Sequence, residues 1–296
     1  MKRKVGLVLG GGGAKGAYQV GVYKALRDHG LIDEIKAISG TSIGALNLAL
    51  LALQEVDQAA EIWLSLTKRK VLTLKHWKEY LDFKNFSVLS RKGMLEIFSS
   101  EIDFKRVSDC KIPLYVCATN LRDNVGETFK LNGLSEEEII DRLSASSAIP
   151  TVFPNVEING IRYMDGYLYD NVPINSLVVN EGCNFLYVVP LSAFHFPKPE
   201  DYPNQTLIVF DEPAFDDLKL WDGTLSFGHA VAKYRLELGY DNAMRLINYL
   251  RQKGLIYKTR KEKVRRLFSV LTRRTKKLKK YYSVSGLDPV IKEEKE

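Results

Sequence analysis

Four consecutive glycines at residues 10–13 separate the apolar run Val5-Gly6-Leu7-Val8-Leu9 from a segment in which Tyr18, Val22 and Leu26 recur at helical spacing. A short run of this kind suits a strand buried on both faces. A helix over 14–30, closed by His29-Gly30, is expected after the loop. Strand, glycine loop and helix open an α/β layered fold, and the rest of the chain keeps the alternation. Strands are expected over 35–39, 113–119, 185–189 and 206–210. Helices are expected over 46–53, 57–66, 92–102 and 225–251. Ser135-Glu136-Glu137-Glu138 is a capping-box signature for a helix reaching residue 143. Asn159-Gly160 marks a hairpin over 156–164. The 296 residues allow one large domain or two ordinary ones.

The next strand runs into Gly40-Thr41-Ser42-Ile43-Gly44, a G-x-S-x-G pattern with a helix behind it. A serine on so sharp a turn sits in strained backbone, and Gly40 and Gly44 relieve the crowding around it. It also lies at a helix N-terminus, where peptide dipoles favour developing negative charge. The plain alternative is a Gly/Ser turn before a buried helix. The strand–turn–helix setting favours Ser42 as a nucleophile.

The glycine run offers backbone N–H groups at a helix start, which makes an anion site. Gly11, Gly13 and Gly16 also fit the G-x-G-x-x-G of dinucleotide-binding units. Such a unit expects an acid at the end of the next strand to hold the ribose. Here that strand ends in Ile38-Ser39, and Glu34 precedes it. No Gly-Lys-Ser/Thr follows the glycines, so a Walker-type loop is excluded. An oxyanion hole beside the serine is the remaining use, each donor being worth about 3 kcal/mol in a transition state. Lys15 is oddly placed, since a cation is unfavourable at a helix N-terminus. Pairing with an acid and bracing of the loop both account for it.

The nucleophile needs a base. His195 and His229 satisfy the chain order of an α/β-hydrolase triad. However, Ser42 follows only the second strand, which leaves no room for the strands such a fold places before its nucleophile. Asp165, in Met164-Asp165-Gly166, ends a strand with a glycine that allows a tight turn. An aspartate of ordinary pKa, about 4, is a weak base, and desolvation in an apolar site strengthens it. Alone, Asp165-Gly166 reads better as a simple turn.

Taken together, the glycine loop, Gly40-Thr41-Ser42-Ile43-Gly44 and Asp165-Gly166 have the order and spacing of the patatin-like phospholipase family, which the chain strongly resembles. Ser144-Ala145-Ser146-Ser147-Ala148-Ile149-Pro150 is similar to that family's Ala-Ser-x-Ala-x-Pro stretch. The motif-bearing resemblance covers residues 5–179, and the long helix near Gly239-Tyr240 is similar to bacterial members. The resemblance implies a three-layer α/β fold with a largely parallel central sheet flanked by helices. It implies a serine lipid acyl-hydrolase of the phospholipase A or lysophospholipase kind, with no metal and no organic cofactor. Ser42 would be nucleophile, Asp165 base and the amides of Gly11, Gly12 and Gly13 the oxyanion hole. Lys15, Gly16, Gly40, Gly44 and Gly166 would support the motifs. One departure is Tyr167, where the family often has alanine or glycine. A non-catalytic lipid-binding protein and a dinucleotide-binding oxidoreductase are the competing readings.

Charge divides the chain. Residues 251–280 hold 14 Lys/Arg and one acid, against a total of +7, so the remainder is net acidic. Val264, Leu267, Phe268, Leu271 and Leu278 keep helical spacing between the basic residues. A basic amphipathic tail over 251–296 is therefore expected after an acyl-hydrolase domain over 5–250. Residues 258–280 either dock on an anionic membrane surface or pack on the domain as a solvated helix. Nucleic acid is not an expected partner, because no recognised module accompanies the charge. After Lys280 the chain turns acidic, and loose order is expected. Three cysteines, an odd number without metal-ligand rhythm, point to a reducing compartment, and four scattered histidines give no zinc cluster. Met1-Lys2-Arg3-Lys4 resembles a signal-peptide start, but the apolar run behind it is too short. The expectation is a cytoplasmic protein, peripheral at the membrane inner face.

Overall fold

A computed structural model describes residues 3–71, 73–74, 89–90, 100–219, 221–256 and 281–287. Its centre is a nine-stranded sheet. The strands are β1 (Val5–Leu9), β2 (Ile35–Thr41), β3 (Leu114–Asn120), β4 (Val125–Lys130), β5 (Val156–Ile158), β6 (Ile161–Asp165), β7 (Phe185–Val189), β8 (Thr206–Val209) and β9 (Tyr281–Ser283). Their order is β9-β8-β7-β1-β2-β3-β6-β5, with β4 also paired to β3. From β9 to β3 every pairing is parallel; β4 and β6 run antiparallel to β3.

Side chains alternate between two apolar layers, as strand pleating requires. Leu7, Leu9, Ile38, Val116, Tyr187 and Ile208 face the larger core, built with α1 (Ala17–Asp28), α2 (Ile43–Leu51), α3 (Val56–Ser65) and α4 (Glu136–Ser146). Val8, Ala37, Leu186, Val188 and Val209 face the other side, against Ile174 and Leu177 of α5 (Ile174–Glu181). Helix, sheet and helix give the three layers expected. The first face also carries α6 (His229–Gln252), which crosses α1 at contact distance. A Cβ on Gly21 would stand 2.1 Å from Leu236 O, and one on Gly239 would stand 2.2 Å from Tyr18 O, so only glycine permits that crossing.

Most expected elements appear where the sequence placed them. β1 and β7 match to the residue. The capping box is formed in both directions between Ser135 and Glu138. The hairpin turns at Asn159 and Gly160, with φ of 52° and 74°. Several points differ. The helix expected over 14–30 begins as a 3₁₀ turn at Gly13–Gly16, and α6 starts four residues late, after Gly228. Strand β4 and helix α5 were not anticipated. Residues 281–287, expected to be loose, instead add edge strand β9 beside β8, and Asp211 Oδ1 accepts the amides of Val284 and Ser285 beyond it. The expected helix over 92–102 falls mostly outside the described residues, as does the basic stretch 258–280.

Candidate active site

Strand β3 brings the two halves of the site together. Along one of its edges β4 pairs from Tyr115 to Asn120. The other edge is therefore shared end to end by β2 and β6. Thr41, the last residue of β2, lies opposite Cys117, and Asp165, the last of β6, lies opposite Ala118. Ser42 follows Thr41 directly, so the register delivers its hydroxyl beside the Asp165 carboxylate.

Ser42 turns with φ 56° and ψ −124°, a region that L residues avoid and that tight turns at functional sites retain. A Cβ on Gly44 would stand 2.2 Å from Leu9 O, and one on Gly40 would stand 2.5 Å from Gly44 O. Both glycines are thus demanded by the elbow. The Ser42 amide donates to Ser146 Oγ at 2.9 Å, and that hydroxyl donates to Cys117 O at 2.6 Å. The amide of Asp165 donates to Ala148 O at 2.9 Å. The Ala145–Pro150 stretch thereby holds both residues, a role for Ser146 that its sequence position alone did not reveal.

The Ser42 hydroxyl donates to Asp165 Oδ2 at 2.6 Å, and both residues are buried. Oδ1 of the same carboxylate accepts the Tyr167 amide at 2.8 Å. Burial pushes the Asp165 pKa up to about 7, against the lowering effect of these two hydrogen bonds. A carboxyl with that value exchanges protons near neutrality. Gly166 lies where a Cβ would stand 2.5 Å from Cys117 O, so the turn closes against β3.

The glycine loop comes alongside from β1. Buried hydrogen bonds brace it: Gln19 Nε2 donates to Gly10 O, Asn47 Nδ2 to Gln19 Oε1 and Gly16 O, and Trp63 Nε1 to Asn47 Oδ1. Gly16 packs so tightly on Ile43 and Trp63 that a Cβ would fall 2.6 Å from each. The amide of Gly11, expected in the oxyanion hole, is instead engaged by Asn171, at 3.2 Å from its main-chain oxygen and 3.0 Å from Oδ1. The amides of Gly12 and Gly13 have no acceptor among the described residues. Both residues line a cavity of about 450 Å³ that also reaches Ser42, Asp165 and Lys15. Lys15 is buried, and desolvation lowers its pKa to about 8, opposed by the nearby Asp216 and reinforced by Arg235. Its ammonium stands 5.6 Å from the centre of the Phe215 ring.

The cavity mouth is apolar. Tyr167 stacks on Phe194 with centroids 4.5 Å apart, and both, with Leu218, are exposed. Tyr167 therefore shapes the rim. A narrower apolar slot of about 20 Å³, walled by Ile43, Phe153, Leu225 and Phe227, also opens on Ser42. Neither His195 nor His229 lines these spaces. His195 Nδ1 accepts the Asn171 amide at 3.2 Å, and His229 Nδ1 pairs with Leu64 O at 3.1 Å.

A family model described as Patatin-like phospholipase matches residues 7–178. Lysophospholipase NTE1 of Saccharomyces cerevisiae is 28% identical over 213 residues, covering 67% of this chain and 11% of that protein. An uncharacterized NTE family protein of Mycobacterium bovis is 30% identical over 173 residues, covering 58% of this chain and 44% of that one. The chain thus spans about a tenth of the yeast relative's length and less than half of the mycobacterial one. Among solved structures, VipD from Legionella pneumophila aligns over 83% of this chain and 67% of its own, with a TM-score of 0.46 and 15% identity.

Proposed function

The chain belongs to the patatin-like phospholipase family, and on that premise we propose that it hydrolyses carboxylic esters of lipids with Ser42 as nucleophile and Asp165 as base. The observation that carries the reading is the 2.6 Å hydrogen bond from Ser42 to Asp165 at the wall of a cavity. Ser42 Oγ bonds the acyl carbon while its proton passes to Asp165 Oδ2. The carbonyl π electrons move to oxygen, where the amides of Gly12 and Gly13 donate hydrogen bonds. Collapse of the tetrahedral intermediate breaks the ester C–O bond, and the leaving alkoxide takes the proton from Asp165. Water, deprotonated by the same carboxylate, then releases the fatty acid and restores Ser42.

The apolar rim of Tyr167, Phe194 and Leu218 supports a lipid as substrate, since it lets an acyl chain reach the hydroxyl without crossing water. The lysophospholipase name of the yeast relative points the same way. Docking on an anionic membrane through residues 258–280 is part of the proposal, supported by the charge of that stretch. Among the described residues no helix is long and apolar enough to cross a membrane. Turnover of a p-nitrophenyl acyl ester, followed by a panel of phospholipids and neutral lipids, tests the reading. Loss of turnover in Ser42→Ala with the fold retained supports it; unchanged turnover refutes it.

A further inference from the structure

Four adjacent glycines make the most flexible loop a chain can carry, yet oxyanion donors act only if they are fixed before the reaction begins. Fixation here comes from outside the loop. Gly11 N–H is taken by two oxygens of Asn171, and Ala14 N–H donates to Thr224 O at 2.7 Å. These two clamps flank Gly12 and Gly13, whose amides are left for the cavity. Asn171 is itself fully buried and locked. Its Nδ2 donates to Ser192 Oγ at 3.2 Å and Phe194 O at 3.4 Å, and its amide donates to His195 Nδ1. One side chain therefore joins the glycine loop, the turn that follows Asp165 and the loop that carries the cavity rim.

We propose that Asn171 is the positioning residue for the oxyanion donors: it withdraws Gly11 N–H and so fixes the amides of Gly12 and Gly13 towards the acyl oxygen. It touches no reacting atom. The role rests on Ser42 being the nucleophile. Without the Oδ1 anchor, the Gly11 amide keeps only its longer bond to Asn171 O and the glycines regain freedom, which weakens binding of the oxyanion and not of the resting ester.

The test compares an alkyl trifluoromethyl ketone with the same molecule carrying a methylene in place of the carbonyl. Ser42 Oγ adds to the ketone carbon, its proton passes to Asp165, and the carbonyl oxygen becomes an oxyanion; the second compound only fills the cavity. In the full chain, Asn171→Leu is expected to weaken the ketone roughly tenfold to a hundredfold. Binding of the carbonyl-free compound stays within about twofold, and kcat falls with KM unchanged. Asn171→Ala removes the Oδ1 acceptor of Gly11 without adding bulk or charge. It decides the matter if the leucine variant does not fold, and it is expected to weaken the ketone by about fivefold or more. Ketone affinity within twofold of wild type in a folded variant overturns the proposal, as does an equal loss for both compounds. Failure of wild type to form an adduct, with Ser42→Ala indistinguishable from it, removes the nucleophile reading and this role with it.

Discussion

The hydroxyl of Ser42 lies 2.6 Å from Oδ2 of Asp165, across 123 residues of chain, because β2 and β6 end against adjoining residues on the same edge of β3. The contact is a consequence of sheet register. A one-residue slip of β6 would turn Asp165 to the other face of the sheet and break it.

The raised Asp165 pKa is expected to set the acid limb of activity. The carboxylate must be ionised to accept the Ser42 proton, so kcat/KM for a soluble ester is expected to rise as pH passes through about 7. A pH–rate profile shows this directly. A midpoint near 4 would mean that the carboxyl is solvated or is not the base.

The same burial costs stability. Asp165 has a folded pKa near 7 against an ordinary 3.8, so the native state resists its ionisation. Its contribution is most favourable below about pH 4 and is lost as pH rises through 7. Asp165→Asn is therefore expected to abolish turnover yet raise the melting temperature relative to wild type at pH 8, by a gain of up to about 4 kcal/mol. The difference should vanish at pH 4. Thermal melts at both pH values check the sign.

Lys15 is expected to set the alkaline limb. Its pKa is lowered to about 8 by burial, so its charge beside Gly12 and Gly13 is lost above that pH. Activity is expected to decline there, and Lys15→Met should lower the maximum and flatten the decline. An unchanged alkaline limb in the variant would assign it to another group.

The crossing of α1 and α6 reverses the usual helix propensity. Alanine is about 1 kcal/mol better than glycine in a helix interior. At Gly239, however, its Cβ would press to 2.2 Å from Tyr18 O. Gly239→Ala is expected to destabilise the fold by about 1–3 kcal/mol, read by urea denaturation. Stabilisation would show that the helices separate at little cost.

Residues 258–280 are tested by charge, since truncation would also remove β9 from the sheet edge. Changing Lys276, Lys277, Lys279 and Lys280 to glutamine should weaken binding to anionic vesicles roughly fivefold per charge while leaving hydrolysis of a soluble ester intact. Equal vesicle binding would remove this stretch as the anchor.

The parts of the site that were legible in the sequence are those whose backbone demands are local. Gly40 and Gly44 announce the elbow because no other residue fits beside it, and the buried strands announce themselves by unbroken apolar runs. Asp165 became readable only beside the other two motifs. Asn171 and Ser146 were missed because they act through hydrogen bonds to residues 160 and 104 positions away, which leave no periodic trace. The acceptor of the Gly11 amide was hidden for the same reason: it lies in a distant loop. Strand β4 alternates poorly, being half-exposed, and β9 is only three residues long behind a charged stretch.

Covalent labelling with an alkyl fluorophosphonate, mapped by peptide mass spectrometry, tests the dyad most directly. The adduct is expected on Ser42 alone, forming at least a hundredfold more slowly in Asp165→Asn and at near wild-type rate in His195→Ala and His229→Ala. An adduct on a different residue, or labelling that depends on either histidine and not on Asp165, would contradict it.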